Sequence, residues 1–222
     1  MFNHVNHGIQ LVDISADTSK KGRFYTTPTG AKYPSVTTVL SSYNKEGLQK
    51  WIDRVGVAEA EKIKTQAANR GTEVHTLAEN YINNLKNWKQ GSMPFNVHSF
   101  LPIKDILDKR VDNIWFQEAP LYSDYLQIAG RVDCIAEFDG VLSIIDFKTS
   151  RKPKKAEWIK NYFMQESVYA VAFEERSGKP IKQLVTLVTV DDDEPQVFIE
   201  DRDSHIHDFI KVRQEYRESF GI

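Results

Sequence analysis

An Asp-Gly pair, Asp139-Gly140, separates two apolar runs in the middle of the chain, VDCIAEF and VLSIIDF. Such a pair is among the strongest short-range signals for a two-residue β-hairpin, because both central residues need a positive φ. Facing residues in such a hairpin are equidistant from the turn. Asp133 lies six residues before Asp139, and Asp146 lies six residues after Gly140. The pattern therefore predicts two opposed carboxylates with Cβ atoms about 5 Å apart, and Lys148 projecting from the same face.

Two like charges that face each other across a β-ladder destabilise it, so this pair requires compensation. One acid can be protonated, or the pair can be neutralised by Lys148 and Arg131, which face each other in the same register. Alternatively, a hard divalent cation lies between the carboxylates, since Mg²⁺ commonly takes one or two carboxylates together with waters and phosphates. The spacing alone leaves these alternatives open.

Lys148 gives the cation alternative a chemical purpose. A Mg²⁺ ion between two carboxylates polarises a phosphodiester oxygen and lowers the pKa of a bound water. A nearby ammonium orients that water or stabilises the charge that builds on the phosphate. An aspartate followed by Asp-x-Lys is thus the minimum set for metal-assisted phosphodiester hydrolysis.

The rest of the chain predicts an α/β fold, a single domain with a central mixed β-sheet flanked by helices. Residues 20–112 read as a hairpin followed by helices, the latter broken near Asn69–Gly71. Residues 113–200 read as the catalytic sheet core, with a long helix from 154 to 175 between strands. A closing helix is expected over 204–219, and no linker composition marks a domain boundary within 1–222.

Composition excludes several classes of protein. The chain has 222 residues and a hydrophobic fraction of 41%, which is typical of a packed domain and not of a disordered chain. No run is long and apolar enough for a membrane span, and the N-terminus does not resemble a secretory signal, so we expect a cytoplasmic protein without a membrane partner. The single cysteine, Cys134, cannot supply a four-cysteine iron–sulfur cluster.

The motifs taken together resemble one nuclease family. GRVD and DFKTS, within residues 130–150, resemble the PD-(D/E)xK nuclease superfamily and its RecB-like branch. RGTEVH, FQEAPLYS and QESVY resemble that branch's histidine helix, glutamate strand and Gln-x-x-x-Tyr helix. YPSVTTVLS is similar to a segment of mitochondrial genome maintenance exonucleases and related phage proteins. The resemblance covers about residues 33–190, and Val132 departs from it by replacing the proline of the superfamily name.

This resemblance implies a restriction-endonuclease-like core and a set of site residues. It implies that Mg²⁺, with Mn²⁺ as a substitute, is held by His75, Asp133, Asp146 and the carbonyl of Phe147. Lys148 would be catalytic with the two aspartates. Glu118, Gln165 and Tyr169 would lie near the centre as supporting or DNA-contacting groups. The alternatives are ordinary ones: His75, Gln165 and Tyr169 fit a packed helix face, and Glu118 fits a solvent-facing strand position.

Basic and polar residues around this centre are candidates for phosphate contacts. The run KTSRKPKK leaves the second strand at its active end, so we expect Arg151 and Lys152 to contact a phosphate backbone. Arg70, Ser35 and Thr38 are weaker candidates, and Ser35 also fits a helix N-cap. Four tryptophans offer stacking surfaces for unpaired bases, but the sequence does not distinguish among them.

The sequence therefore predicts a Mg²⁺-dependent deoxyribonuclease, and kinship by resemblance suggests an exonuclease acting on single-stranded DNA or DNA ends. Such an enzyme would serve DNA replication, recombination or repair, in a host cytoplasm if the chain is of phage origin. The chain has no P-loop, so a helicase would have to act in trans. Two alternatives are a structure-specific endonuclease that cuts flaps and an inactive DNA-binding module of the same fold.

Overall fold

The Asp-Gly turn forms as the sequence predicts. The computed structural model describes residues 1–43 and 45–221. Asp139 and Gly140 have φ values of 51° and 77°, both in the left-handed region that a two-residue hairpin requires. The ladder runs from Phe138↔Val141 to Cys134↔Ile145 in the expected register. The hairpin prediction is confirmed over this stretch.

The hairpin is the middle of a five-stranded mixed sheet, which confirms the predicted fold class. The strands are β4 (Val111–Ser123), β5 (Ile128–Phe138), β6 (Val141–Ser150), β7 (Gln183–Val190) and β8 (Gln196–Asp201). They lie in sequence order, and β6–β7 is the parallel pair whereas the other neighbours are antiparallel. Parallel neighbours need a long crossover, and the segment between β6 and β7 contains the helix α5 (Lys160–Ser177).

Helices cover both faces of this sheet and enclose two apolar cores. Helices α3 (Val57–Ile82) and α4 (Pro94–Arg110) pack on one face, where Leu77, Ile82 and Phe100 are fully buried. The other face holds α1 (Val36–Leu40), α5 and α6 (Ile206–Phe220), with Phe173 and Phe209 fully buried. The remaining helix, α2 (Lys45–Val55), precedes α3. No helix in the described part of the chain has the length and apolarity to cross a membrane.

A small antiparallel sheet precedes the main one. Its strands are β1 (Ser15–Ser19), β2 (Gly22–Thr26) and β3 (Lys32–Pro34). The predicted hairpin before the helices is formed by β2 and β3. Strand β1 was not predicted, because SADTS has no apolar alternation and gains its order by pairing with β2. Ser35 then caps α1, accepting a hydrogen bond from the Thr38 amide at 3.0 Å, which confirms the N-cap expectation.

The predicted helix break near Asn69–Gly71 is wrong. Helix α3 runs through Gly71, and the interruption lies at Gly56, whose φ is 85°. A glycine inside a helix costs only about 1 kcal/mol relative to alanine, which the packed turns on either side offset. Helix α4, which follows α3, begins at Pro94. A short 3₁₀ helix, Ala156–Trp158, precedes α5 within the expected helix 154–175.

Candidate active site

The candidate site lies where β5 and β6 separate. We call residues 134–145 the turn half of the hairpin, and residues 128–133 with 146–150 its open half. The β5–β6 ladder ends at Cys134↔Ile145, one pair short of Asp133 and Asp146. Beyond this point β5 stays paired with β4, and β6 with β7. The two aspartates therefore flank the start of a gap in the sheet instead of forming a regular ladder pair.

The strand β4 is irregular at the same level. Its pairing with β5 is regular at Gln117↔Cys134 and resumes at Ala119↔Val132, but Glu118 is unpaired in between and has a φ of 45°. Cys134 belongs to the core under α3 and α4, whereas Val132 belongs to the core under α5. Residues two apart on a regular strand share a face, so the strand changes face at Asp133.

Asp133 is held from two sides. Its Oδ2 accepts a hydrogen bond from the Phe147 amide at 3.0 Å and lies 3.3 Å from Nδ1 of His75 on α3. Burial and then the charge of Asp146 raise the pKa of Asp133 to about 7, against the opposing effects of His75 and Lys148. The two acids are thus close enough to act on each other electrostatically. The predicted role of the Phe147 carbonyl as a ligand stays a prediction.

Asp146 is almost fully buried and is bound by two side chains. The Lys148 ammonium forms an ion pair with its Oδ2, and Gln165 Nε2 donates to its Oδ1 at 3.1 Å. Burial alone would lower the pKa of Lys148, but the charges of Asp146 and Asp133 raise it above the usual lysine value. The Lys148 ammonium also lies 5.1 Å from the ring centroid of Tyr162. Lys148 is therefore a fixed cation at the gap.

The expected pairing of Lys148 with Arg131 is wrong, because the strands have separated before that level. Arg131 is exposed and donates to Asp13 at 3.1 Å and to the backbone carbonyl of Glu118. Neutralisation of the acids by Arg131 is therefore excluded as the compensation.

Glu118 joins the group that is best placed to hold a metal. Ligand atoms of His75, Glu118 and Asp133 all lie within 4.8 Å of one another. Burial raises the pKa of Glu118 above its ordinary value. Two carboxylates and one imidazole, in a site where negative charge is costly, fit a hard divalent cation that also tolerates nitrogen. The resemblance of FQEAPLYS to the glutamate strand predicts Glu118 near the centre, whereas its left-handed backbone has no signal in the sequence.

Tyr169 and Gly130 fill the space between β5 and α5. Tyr169 is 3% exposed, and its pKa is raised well above the usual tyrosine value by burial and by Asp133 and Asp146. A Cβ on Gly130 would lie 2.7 Å from Cε1 of Tyr169. The glycine of GRVD is thus needed so that this ring can approach the strand, a relation that the sequence did not reveal.

Glu166 is a buried acid that the sequence analysis missed. It is fully buried on α5, and Thr186 donates a hydrogen bond to its Oε1. Thr186 faces Asp146 in the β6–β7 ladder. Burial, followed by the charge of Asp146, raises the pKa of Glu166 well above its usual value. Nothing distinguishes this glutamate from a surface residue in the sequence.

The five residues predicted to contact phosphate fall into two groups, three with side-chain partners within the protein and two on an exposed loop. Arg70 forms an ion pair with Asp191, whose oxygens lie 2.5 and 2.6 Å from Nη1. Ser35 and Thr38 are hydrogen-bonded to each other at 2.8 Å, and Thr38 Oγ1 accepts from the Arg23 amide at 3.0 Å. These three side chains thus have partners within the protein.

Arg151 and Lys152 remain exposed on the loop after β6. Arg151 donates to Gln66 at 2.8 Å. DNA contact stays a prediction for all five of these residues.

Comparisons with known proteins also indicate a nuclease. A family model of the PD-(D/E)XK nuclease superfamily matches residues 44–219. Mitochondrial genome maintenance exonuclease 1 from Homo sapiens is 28% identical over 129 residues, which is 54% of this chain and 38% of that protein. The Mus musculus protein of the same name is 26% identical over the same shares. The match thus spans 38% of the length of these relatives.

A solved structure from Eubacterium rectale, named "Putative exonuclease", is also similar to this chain. Its TM-score is 0.40 at 14% identity, over 67% of this chain and 68% of that one.

Proposed function

The chain belongs to the PD-(D/E)XK nuclease superfamily, and from this premise we propose that it is a divalent-metal-dependent DNA exonuclease. We further propose Mg²⁺ as its metal, and single-stranded DNA or DNA ends as its substrate. One observation carries the proposal: two mutually interacting acids and a fixed ammonium lie at the gap between β5 and β6, and one of these acids, Asp133, lies with His75 and Glu118 in a group whose ligand atoms are within 4.8 Å of one another. The mitochondrial exonucleases that the chain resembles support the exonuclease part.

The metal would be held by His75, Glu118 and Asp133, with Asp146 beside them. A carboxylate oxygen has a second lone pair, so the bonds that Asp146 makes to Lys148 and Gln165 leave it able to contribute. The ion supplies Lewis-acid polarisation of the phosphodiester and a lowered pKa of water. Because an imidazole belongs to the set, Mn²⁺ should replace Mg²⁺.

The side chains of the protein have separate tasks in this scheme. Lys148 donates hydrogen bonds to a non-bridging phosphate oxygen or to the attacking water, and so stabilises negative charge where it develops. The ion pair with Asp146 keeps that ammonium protonated and oriented. The Phe147 amide and the Gln165 amide group fix the two carboxylates before substrate arrives. Preorganisation of this kind is a main source of catalysis.

The test compares two aspartate-to-asparagine variants of the same hairpin. With labelled linear single-stranded DNA in Mg²⁺, the wild-type chain should release short products, and Asp146→Asn or EDTA should abolish the reaction. Asp139→Asn is the matched control, since Asp139 lies at the exposed turn and asparagine fits that turn equally well. Cleavage that survives both Asp146→Asn and EDTA would refute the assignment of the centre.

Circular single-stranded DNA decides between the two modes of cleavage. An exonuclease needs an end, so circles should resist hydrolysis under conditions in which linear strands are degraded. If circles are cut as fast as linear strands, the exonuclease proposal fails and an endonuclease replaces it. If no DNA is cut in Mg²⁺ or Mn²⁺ although DNA binds, the chain is an inactive binding module.

A further inference from the structure

Trp158 differs from the other tryptophans in its exposure. Trp51, Trp88 and Trp115 are half-buried, whereas Trp158 is 62% exposed. It ends the 3₁₀ helix that precedes α5 and follows the basic loop after β6. Burial of a large aromatic ring is favourable, so a ring left in solvent beside a functional site requires an explanation.

A cavity of about 500 Å³ lies against this ring. Its volume is within the range of ~300–1,000 Å³ that is usual for ligand sites. Its lining residues come from the end of α1 and the start of α5: Leu40, Tyr43, Glu157, Trp158, Lys160 and Asn161. Tyr43 is 50% exposed, so two exposed aromatic rings border the same space. The cavity thus offers apolar and aromatic surface with a polar edge.

The charges around the cavity favour a phosphate backbone outside it and a neutral group within it. Lys155 places its ammonium 5.2 Å from the Trp158 ring centroid, and Lys155 and Lys160 are both exposed. These cations fit phosphates that pass the rim. Glu157 and Lys160 are the charged residues among the lining residues, and their opposite charges give the cavity no net attraction for a phosphate. A nucleobase is neutral and flat, and it meets both conditions.

The cavity lies close along the chain to residues of the candidate site. Trp158 precedes Tyr162 by four residues, across the break between the 3₁₀ helix and α5. Tyr162 contacts Lys148, and Gln165, less than one turn further, binds Asp146. The cavity and the gap are therefore both reached from the N-terminal part of α5.

We propose that Trp158, together with Tyr43, forms a stacking site for one unpaired base of the substrate strand, near the phosphate that is cut. The inference rests on the proposed function, because it takes the strand at the gap to be the substrate. Stacking accepts every base, since each has a π-face. The site therefore selects single-stranded DNA without selecting a sequence, because a base inside a duplex is already stacked.

The first test measures affinity without cleavage. Fluorescence anisotropy of a labelled single-stranded oligonucleotide in EDTA should show that Trp158→Ala weakens binding about tenfold, whereas Trp158→Phe largely restores it. Tyr125→Ala is the matched control: Tyr125 is 77% exposed, and its backbone amide binds Glu175 near the C-terminal end of α5, whereas Trp158 precedes the N-terminal end. It should bind as the wild type does. Equal affinity of Trp158→Ala and the wild type would overturn the proposal.

The second test locates the base. Linear strands that carry one abasic nucleotide, moved stepwise from either end, should be cut about tenfold more slowly by the wild type when the abasic nucleotide reaches the stacking site. Trp158→Ala should be insensitive to that nucleotide, because the two changes remove the same contact. A wild-type profile without a sensitive position would overturn the proposal.

The two proposals fail in different ways. If the wild type cuts no DNA in Mg²⁺ or Mn²⁺, the proposed function fails, and the anisotropy test in EDTA still decides the stacking site. If Trp158→Ala changes the oligomeric state and leaves DNA affinity unchanged, the exposed ring belongs to a protein interface and the stacking site is wrong. Circular dichroism of each variant confirms that it is folded.

Discussion

The turn half and the open half of the β5–β6 hairpin use the same two strands but differ in pairing and in charge. In the turn half, five consecutive residue pairs are in register, and its inner side chains, such as Ile135, Ala136 and Ile144, are fully buried and apolar. In the open half the strands separate, Asp146 is buried, and the pKa of the largely covered Asp133 is raised to about 7.

The difference shows how the fold separates stability from chemistry. Apolar burial stabilises the turn half and specifies its register. The open half keeps like charges together in a poorly solvated gap, which is unfavourable without a cation. Functional sites are where such unfavourable arrangements are retained. The paired half supplies the rigid support that holds the charged half in place.

Substitution of Asp133 should produce the largest effect and tests whether the open half trades stability for activity. Asp133→Asn should lower the cleavage rate on the order of 10³-fold, because it removes a proposed ligand. In EDTA above pH 7 the same variant should be more stable than the wild type, because one of the two interacting charges is gone. Nuclease kinetics and denaturant unfolding measure these two changes.

The charge of Asp133 also predicts in which direction the stability of the folded chain changes with pH. Asp133 in the folded chain has a pKa of about 7, against 3.8 for an ordinary aspartate. Between these values the folded state binds more protons than the unfolded state, so the free energy of unfolding in EDTA should fall as pH rises. Asp133→Asn should flatten this dependence. Parallel curves for the two proteins would contradict the assigned pKa.

Gly130→Ala tests how tightly the open half is packed. The new Cβ would lie 2.7 Å from Cε1 and 2.8 Å from Oη of Tyr169, so the ring or the strand must move. We expect the free energy of unfolding to fall by about 1–3 kcal/mol and the cleavage rate to fall with it.

Gly71→Ala is the matched control for that change. Its Cβ would meet nothing within 4 Å, and alanine favours the helix α3, so stability should rise by about 0.5–1 kcal/mol. Chemical denaturation of both variants provides the comparison. If both glycine replacements have the same sign, the contact between Gly130 and Tyr169 does not constrain the site.

Gly140→Ala probes the turn half and should have the smallest effect. Gly140 has a φ of 77°, which costs an alanine about 1 kcal/mol, and the turn lies at the far end of the strands from the gap. Stability should therefore decrease slightly while the cleavage rate is unchanged, and Gly140→Asn should lose less, because asparagine tolerates this conformation. A large loss of activity would show that the two halves are coupled.

The sequence predicts the turn half well because its signals are local. A two-residue turn at Asp139-Gly140 determines the facing residues, and alternating burial determines the face. The same rule extends to Asp133 and Asp146 only if the ladder continues, and it ends one pair earlier. Where the two strands separate depends on the pairing of β5 with β4 and of β6 with β7. These are long-range contacts that a local sequence pattern does not encode.

For the site residues, too, sequence signals predict some features, whereas others depend on long-range contacts. Motif resemblance singles out His75, Asp133, Asp146 and Lys148, and the structure brings them together at the gap. The glutamate-strand motif also predicts Glu118 near this centre, and the structure adds its left-handed backbone, which strand propensity cannot indicate. Arg70, the first residue of RGTEVH, is a candidate phosphate contact in the sequence, and in the structure it forms an ion pair with Asp191, 121 residues away. Its contact with DNA stays a prediction.

Cys134 has a practical consequence for following motion in this hairpin. It is the sole cysteine, it is fully buried, and it belongs to the last pair before the strands separate. A thiol reagent therefore reacts only when the core under α3 and α4 opens around Cys134, so its rate of labelling reports how often the structure next to the gap opens. Labelling of this native cysteine thus follows opening at the boundary between the turn half and the open half, without an introduced probe.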